Sequence, residues 1–184
     1  MSLTSMLIFE IVVFYMVNLV GATTSCRTAD GQYDVTVNYR GSISHETPDS
    51  KSRVIAFYAF MSKSITNPSI GRRLVFDVVK TNQGGGYNNH TGVFTCPKTG
   101  IYVFVWVVRL YSGHHSFELM INNSVYGTNH LRNTNLDSSV SSTVVAHVSE
   151  GDSVYVRIHI SFNGSGLLLS DKNGRPTFSG WLLN

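Results

Sequence analysis

The sequence predicts an all-β domain, a sandwich or barrel of short strands, and three observations support that prediction. Between Ser52 and the end of the chain, short runs rich in β-branched and aromatic residues alternate with turns containing Gly, Pro, Asn and Asp. The chain contains 16 glycines in 184 residues, and only 14% of its residues are charged. No stretch of this part of the chain shows the apolar period of an amphipathic helix.

Ten segments are predicted to form strands: 53–61, 73–80, 92–96, 100–110, 115–122, 124–129, 139–148, 153–161, 166–169 and 176–183. Two polar segments are predicted to be exposed to solvent. One is a turn at His114-His115, beside Gly113, and the other is a loop at 129–138 (NHLRNTNLDS). Cys96 falls in an apolar strand, where a buried and unreactive thiol is expected.

One predicted strand is apolar on both of its faces. In the run IYVFVW at 101–106, successive side chains point to opposite faces of the strand. One face carries Ile101, Val103 and Val105, and the other carries Tyr102, Phe104 and Trp106. A strand with one solvated face would alternate apolar and polar residues. We therefore expect one face in the sandwich core and the other covered, either by a loop of the same chain or by a second subunit.

Residues 1–22 are predicted to be a signal peptide. The segment 6–22 is mostly apolar and ends in small residues, which fit cleavage after Ala22. No Lys or Arg precedes it and Glu10 lies inside it, so an uncleaved membrane anchor is the alternative. Cleavage would leave all 14 basic residues and 10 of the 11 acidic residues, a net charge of +4 with neutral histidines.

Residues 23–51 are predicted to be a short polar stalk, and residues 52–184 a globular domain. Within the stalk, only the segment 33–39 alternates as a strand would. The stalk has no Gly-X-Y repeat and no heptad pattern, so neither a collagen stem nor a coiled coil is predicted. Basic residues are scattered along the chain, which predicts no nucleic-acid-binding patch.

Three glycosylation sequons and a low cysteine count agree with a secreted, extracellular protein. The sequons begin at Asn89, Asn122 and Asn163. The two cysteines, Cys26 and Cys96, are too few for a disulfide scaffold, so core packing must stabilise the domain. Because Cys96 is expected to be buried, Cys26 in the polar stalk is predicted to form an interchain disulfide, which would allow oligomers larger than a trimer.

Aromatic, Asn and Gly residues recur at a distinctive spacing, in the order Phe76, Asn82, Tyr87, Phe94, Gly100, Tyr102, Phe104 and Trp106. This pattern resembles the signature of the complement C1q globular-head family, in which Phe or Tyr usually stands where this chain has Trp106. The segments 56–60, 150–154 and 178–183 resemble the first strand, a late turn and the last strand of the same family. The resemblance covers about residues 53–184, which is nearly the whole chain after the predicted signal peptide.

The resemblance implies a ten-stranded jelly-roll sandwich that assembles as a homotrimer, like the tumour-necrosis-factor ligands. The second face of the strand at 100–110 would then meet neighbouring subunits near the threefold axis. The aromatic residues assigned to the core and the trimer are Tyr102, Phe104, Trp106, Phe178 and Trp181.

The sequence contains no constellation of residues that predicts catalysis, so no enzyme activity is expected. It has no G-x-S-x-G, H-E-x-x-H or C-x-x-C motif. The resemblance implies a secreted, lectin-like protein of innate immunity that binds microbial glycans or other repeated surface ligands. A trimeric signalling ligand for a protein receptor and an extracellular-matrix component are the alternatives. The absent collagen repeat argues against recruitment of complement proteases.

Ligand binding is expected in polar loops at one end of the trimer. The candidates combine charge, amide donors and turn residues, which suit the hydroxyl and carboxylate groups of sugars. They are His130, Arg132, Asn133, Asn135, Asp137, Asp171, Lys172 and Arg175. No cofactor is predicted from the residues alone. Calcium, which some members of the family carry, would use Asp137 or Asp171, but each segment offers one carboxylate and polar turns are the favoured interpretation.

Overall fold

The computed structural model describes residues 54–183, together with the backbone of two short strands near the N-terminus. The chain divides into two units, Met1–Asp49 and Ser50–Asn184. In the first unit, strands β1 (Ser25–Cys26) and β2 (Val35–Thr36) pair antiparallel. The predicted signal peptide, the remainder of the predicted stalk and the side chain of Cys26 lie outside the described residues.

Every regular element of residues 54–183 is a strand, and these strands form one ten-stranded sheet. They are β3 (Ala56–Phe60), β4 (Ile65–Thr66), β5 (Val78–Gln83), β6 (Tyr87–Asn88), β7 (Val93–Thr95), β8 (Gly100–Ile121), β9 (Ser124–Val148), β10 (Ser153–Ile158), β11 (Ser165–Leu168) and β12 (Thr177–Leu182). The predicted all-β jelly-roll class is confirmed.

The sheet folds into two layers because β8 and β9 are each long enough to run through both. The first half of β8 pairs with β12, which continues to β3 and β5, while its second half pairs with β10, which continues to β7 and β6. The register of β8 shifts between Tyr111 and Gly113, where Ser112 has φ 44° and Gly113 has φ 148°. A Cβ at Gly113 would lie 2.0 Å from the carbonyl oxygen of Ser165. The crossing of β8 from one layer to the other at this position therefore requires glycine.

The core lies between the two layers and is largely aromatic. Phe57 of β3 stacks on Phe94 of β7 at 4.8 Å and meets Phe178 of β12 edge-on at 4.9 Å between ring centroids. The three aromatic residues of the two-sided segment, Tyr102, Phe104 and Trp106, are each at most 1% exposed. Aromatic rings from both layers therefore contribute a large part of the apolar contact between the layers.

The one departure from the family's aromatic pattern, Trp106, is matched by a glycine on the neighbouring strand. A Cβ at Gly127 would lie 2.8 Å from Cη2 of Trp106 and 2.6 Å from Cγ2 of Val144. These separations are shorter than normal van der Waals contact. Gly127 thus provides the space that the larger indole ring needs.

Several predicted element boundaries were wrong. The segments 100–110 and 115–122 form one strand, as do 124–129 and 139–148, and the strand predicted at 73–80 begins at Val78. The segment 73–77 makes a single bridge, from Arg73 to Arg157. The short strands β4 and β6 were missed, because two residues carry too little pattern to be recognised.

The predicted loop at 129–138 and the predicted turn at His114-His115 were also wrong, because both segments lie within strands. Polar residues fit there because alternate side chains of β9 face solvent along most of its length. His115 is fully buried, and neither of its ring nitrogens has a hydrogen-bond partner. Burial, followed by the nearby His114 and His130, lowers the pKa of His115.

Candidate functional site

One ion cluster of the domain is centred on Arg109 of β8. Its Nε donates to Oδ2 of Asp137 at 2.6 Å, and its Nη1 donates to Oδ1 of Asp171 at 2.7 Å and to the carbonyl of Gly174 at 3.0 Å. The guanidinium is mostly buried, with its side chain 11% exposed. It therefore ties β9 and the turn after β11 to the middle of β8, the strand that also carries Tyr102, Phe104 and Trp106.

Within this ion cluster, Arg109 and Asp171 each stabilise the charged form of the other. Hydrogen bonds to Asp171 and then Asp137 raise the pKa of Arg109. Hydrogen bonds from Arg109 and then from the backbone N–H of Asn173 lower the pKa of Asp171. Oδ1 of Asp171 also accepts from the N–H groups of Asn173 and Gly174, at 2.7 and 3.2 Å. The turn at 171–174 is thereby fixed from both of its sides.

Calcium does not fit this arrangement. The two carboxylates named for it, Asp137 and Asp171, come together in space, but both are hydrogen-bonded to Arg109. A guanidinium between two carboxylates already supplies the positive charge that a cation would supply. Within residues 54–183, no group of three or more His, Cys, Asp or Glu side chains is arranged to hold a metal ion.

Beside the Arg109 cluster lies a shallow cavity of about 400 Å³, here called the basic groove. It is lined by residues of β3, β5, the turn after β11 and the start of β12, namely Tyr58, Phe60, Lys80, Asp171, Lys172, Asn173, Gly174, Arg175 and Thr177. Two cations approach the ring of Phe60, with Arg175 Cζ at 4.5 Å and Lys80 Nζ at 5.8 Å from the centroid.

The structure divides the predicted ligand residues into two groups. Asp171, Lys172 and Arg175 line the basic groove, and Asp137 is linked to Asp171 through Arg109. The remaining four belong to β9: His130, Arg132, Asn133 and Asn135. His130 pairs with Ser116 at 2.8 Å through Nδ1, and its ring meets Phe162 edge-on at 5.1 Å. Sequence reasoning missed Lys80 and Phe60, which come from distant strands.

A second surface is apolar and exposed, and here it is called the apolar outer face. It comprises Ile101, Val103, Val105, Val145 and Trp181, which lie on neighbouring strands on the side away from the core, and it borders the basic groove at Tyr58. Val103, between Trp181 and Val145 in register, is itself buried at 8% exposure. Val145 is 62% exposed, Tyr58 41% and Trp181 40%. Tyr102, Phe104, Trp106 and Phe178 are core residues of one chain, so of the five predicted aromatics only Trp181 is available to a second subunit.

The glycosylation sequons differ in their surroundings. Asn89 is partly buried, and its Nδ2 donates to the carbonyl of Asp77 at 3.2 Å. Asn122 lies in the β8–β9 hairpin with φ 52°, and its side chain bonds both Asp152 and the N–H of Ser153. Asn163 is exposed in the connection between β10 and β11. Cys96 is buried, as predicted, and its thiol donates to the carbonyl of Lys98.

These features define a β-sandwich module with an exposed apolar face and an adjoining basic groove. The C1q domain family matches residues 56–183, and the chain belongs to that family. C1q-domain proteins are generally ligands rather than enzymes, and they are typically secreted. No helical segment of residues 54–183 has the length and hydrophobicity that a membrane-spanning helix requires.

Similar proteins agree with this assignment. The chain is 30% identical over 142 residues to Caprin-2 of Danio rerio, and the aligned region covers 76% of this chain and 15% of Caprin-2. It is 33% identical over 109 residues to complement C1q tumor necrosis factor-related protein 2 of Mus musculus, and that alignment covers 59% of this chain and 36% of the mouse protein. The chain therefore spans well under two thirds of these relatives' lengths.

Among solved structures, the globular domain of zebrafish complement 1qA matches with a TM-score of 0.59 and 18% identity, covering 71% of this chain and 98% of that one. At that identity the likeness concerns the fold. It agrees with the two-layer jelly roll described above.

Proposed function

We propose that this chain is a secreted, non-enzymatic recognition protein that binds microbial glycans or other repeated surface ligands in innate immunity. The observation that carries the proposal is the presence of two adjoining surfaces of different chemistry. The apolar outer face is suited to self-association, and the basic groove with the neighbouring β9 residues offers charged and amide donors to a polar ligand. A multimer built on the first surface would present several copies of the second.

The assembly we propose is a homotrimer. Its contacts would bury the apolar outer face, including Val145 and Trp181, which are exposed in one chain. A shallow sugar site binds weakly by itself, but several copies on a rigid scaffold raise the apparent affinity by about 10²–10⁴ when the surface repeats its ligand at a matching spacing. Free monosaccharide should therefore compete poorly and polyvalent glycan well.

The direct test is a glycan and whole-microbe binding array with the purified mature protein, after light scattering has established its oligomeric state. Retention of one glycan class or one microbial surface supports recognition. If the intact oligomer retains none of them, the proposal is wrong.

A signalling role is the second candidate, since one similar protein is named as tumor necrosis factor-related. In that case the chain would bind a cell-surface protein receptor. Induction of expression by bacterial challenge favours recognition, whereas constant expression confined to one tissue favours signalling.

We also propose that Cys26 links chains through a disulfide. Cys96 is buried and its thiol already donates to a carbonyl, so it is not accessible to a second thiol in the folded domain. In an oxidising compartment the thiol of Cys26 would then pair with another copy. A non-reducing gel should show dimers that disappear in Cys26→Ser, while Cys96→Ser keeps them. Monomer alone on that gel, or a Cys26–Cys96 peptide in mass spectrometry, contradicts the proposal.

A further inference from the structure

We infer that the basic groove is the ligand-binding site and that it selects saccharides that carry carboxylate or sulfate groups. The inference rests on the proposed recognition function and adds two things to it, a location and a ligand class. The location is the cavity between β3, β5 and the 171–175 turn. The ligand class follows from the charges of the side chains that line it.

The groove has an excess of positive charge that its own residues do not neutralise. Lys80, Lys172 and Arg175 line it, and Asp171 is its single carboxylate. That carboxylate is held by Arg109 and by two backbone N–H groups. Among residues 54–183, none of the three cations forms an ion pair, because the ion pairs found there involve Arg109, Arg157 and His159. A bound anion would supply the missing negative charge.

The geometry of the groove favours an anionic group over a neutral one. Arg175 and Lys80 both approach the ring of Phe60, so two positive charges lie next to one aromatic side chain of the groove. A carboxylate or sulfate bound in the groove would be attracted by both charges and would accept charge-assisted hydrogen bonds from the side chain it meets. A neutral hydroxyl would accept weaker hydrogen bonds and leave the two charges uncompensated.

The Arg109 cluster keeps the groove in this form. Nε of Arg175 donates to the backbone carbonyl of Asp171 at 3.3 Å. The side chain of Asp171 is in turn held by Arg109. The Nη groups of Arg175 are then left to bind a ligand in the forked geometry that suits carboxylate and sulfate oxygens. Arg109 is thus a positioning residue, whereas Arg175, Lys80 and Lys172 would contact the ligand.

The size and walls of the groove suit a sugar rather than a simple inorganic ion. A cavity of about 400 Å³ lies toward the lower end of the range for small-molecule sites and is much larger than one sulfate group requires. The ring of Tyr58 forms part of its wall and offers an apolar surface for the C–H face of a sugar ring. The groove is shallow, so each copy would bind a short segment of a longer chain.

The experiment compares three oligosaccharides of equal length against the full mature protein by isothermal titration calorimetry. One is sulfated, from heparin; one is carboxylated, from polygalacturonate; and one is neutral, from dextran. We expect both anionic probes to bind about tenfold or more tightly than the neutral probe, and we expect added salt to reduce that difference. Binding of one anionic probe alone would identify which of the two groups the groove selects.

Variants locate the binding. Arg175→Ala and Lys80→Ala should each weaken binding of the anionic probe about tenfold, while Lys98→Ala, which removes an exposed lysine outside the groove, should leave it unchanged. The melting temperature of each variant and its mass by light scattering show whether the fold and the oligomer are intact. Lys172→Ala provides a third variant, in an exposed turn, if either of the first two is misfolded.

Two different results would overturn the inference. If folded Arg175→Ala and Lys80→Ala both bind the anionic probes like the wild type, the groove is not the site. If the neutral probe binds as tightly as the charged ones, the ligand class is wrong although the recognition function stands. The recognition function itself fails only if the wild-type oligomer retains no glycan and no microbial surface on the array.

Discussion

The two faces of a single strand segment, residues 101–106, have different roles in this domain. The inward face carries Tyr102, Phe104 and Trp106, all buried among rings from both layers. The outward face carries aliphatic side chains that adjoin Val145 and Trp181, which one chain leaves exposed. An apolar sequence pattern therefore predicts that a face is covered, but not whether the same chain or another subunit covers it. The aromatic face is covered by the same chain, and the aliphatic face remains for another copy.

The largest effect is expected from a change on the inward face. Phe104 is fully buried and lies 5.8 Å from both Phe94 and Tyr102 between ring centroids. Phe104→Ala should lower the free energy of unfolding by about 3–5 kcal/mol, because it removes a ring and leaves a cavity. Urea denaturation followed by circular dichroism measures this loss. A loss below about 1 kcal/mol would mean that Phe104 is not a core residue.

A smaller effect on folding, and a larger one on assembly, is expected from the outward face. Val145→Glu places a charge on the apolar outer face without disturbing the core, so it should yield folded monomer. Light scattering gives the mass, and circular dichroism confirms the fold. Val125→Glu is the matched control, since Val125 is 49% exposed on the other half of β9 and should leave the oligomer intact. A Val145→Glu protein of unchanged mass would show that another surface mediates association.

Much of the fold could be predicted from the sequence. The spaced aromatic residues and the turn residues mark the positions of the strands, because each strand is recognisable from the alternation of a few neighbouring residues. The sequence could not show that β8 and β9 run through both layers. The polar residues at 129–138 resemble a loop, whereas in the structure the segment pairs with 110–117 of β8 and many of its side chains face solvent.

The candidate site was predictable only in part, for a related reason. Asp171, Lys172 and Arg175 are consecutive or nearly so in a turn, and their composition identified them. Lys80 and Phe60 reach the same groove from two other strands, and only the pairing of β3 with β5 and β12 brings them there. The role of Arg109 was also missed, because a single Arg in an apolar run gives no sign that two distant carboxylates converge on it.

A moderate, pH-dependent effect is expected from His115, which lies on β8 beyond the crossing. Its pKa is lowered in the folded domain by burial and by His114 and His130, so the unfolded chain binds the proton more readily. In the unfolded chain the pKa of His115 is about 6.5, and the stabilising effect of its neutral form is fully present above that pH. As the pH falls below about 6.5, the free energy of unfolding decreases by about 1.4 kcal/mol per pH unit, until the pH reaches the lowered pKa of the folded state.

His115→Phe tests this origin of the acid sensitivity. Phenylalanine keeps a planar ring, and no hydrogen bond is lost, because both ring nitrogens of His115 lack partners. The difference in unfolding free energy between pH 7.5 and pH 5.5 should shrink in the variant. His90→Phe, at an exposed histidine, is the control and should keep the difference seen in the wild type. An equal loss in the wild type and His115→Phe would assign the acid sensitivity to other groups.

The smallest effect on stability is expected from glycosylation, which should favour one sequon over the other two. Asn163 is exposed in a connecting segment, whereas the side-chain amides of Asn122 and Asn89 already form hydrogen bonds within the domain. An attached glycan at Asn163 would extend into solvent and should change the unfolding free energy by less than about 0.5 kcal/mol. In a secreting eukaryotic cell line, Asn163→Gln should abolish most of the glycosidase-sensitive gel shift, and Asn122→Gln should leave it. If Asn122→Gln removes the shift instead, the hairpin at 122–123 opens to the modifying enzyme before the domain has folded.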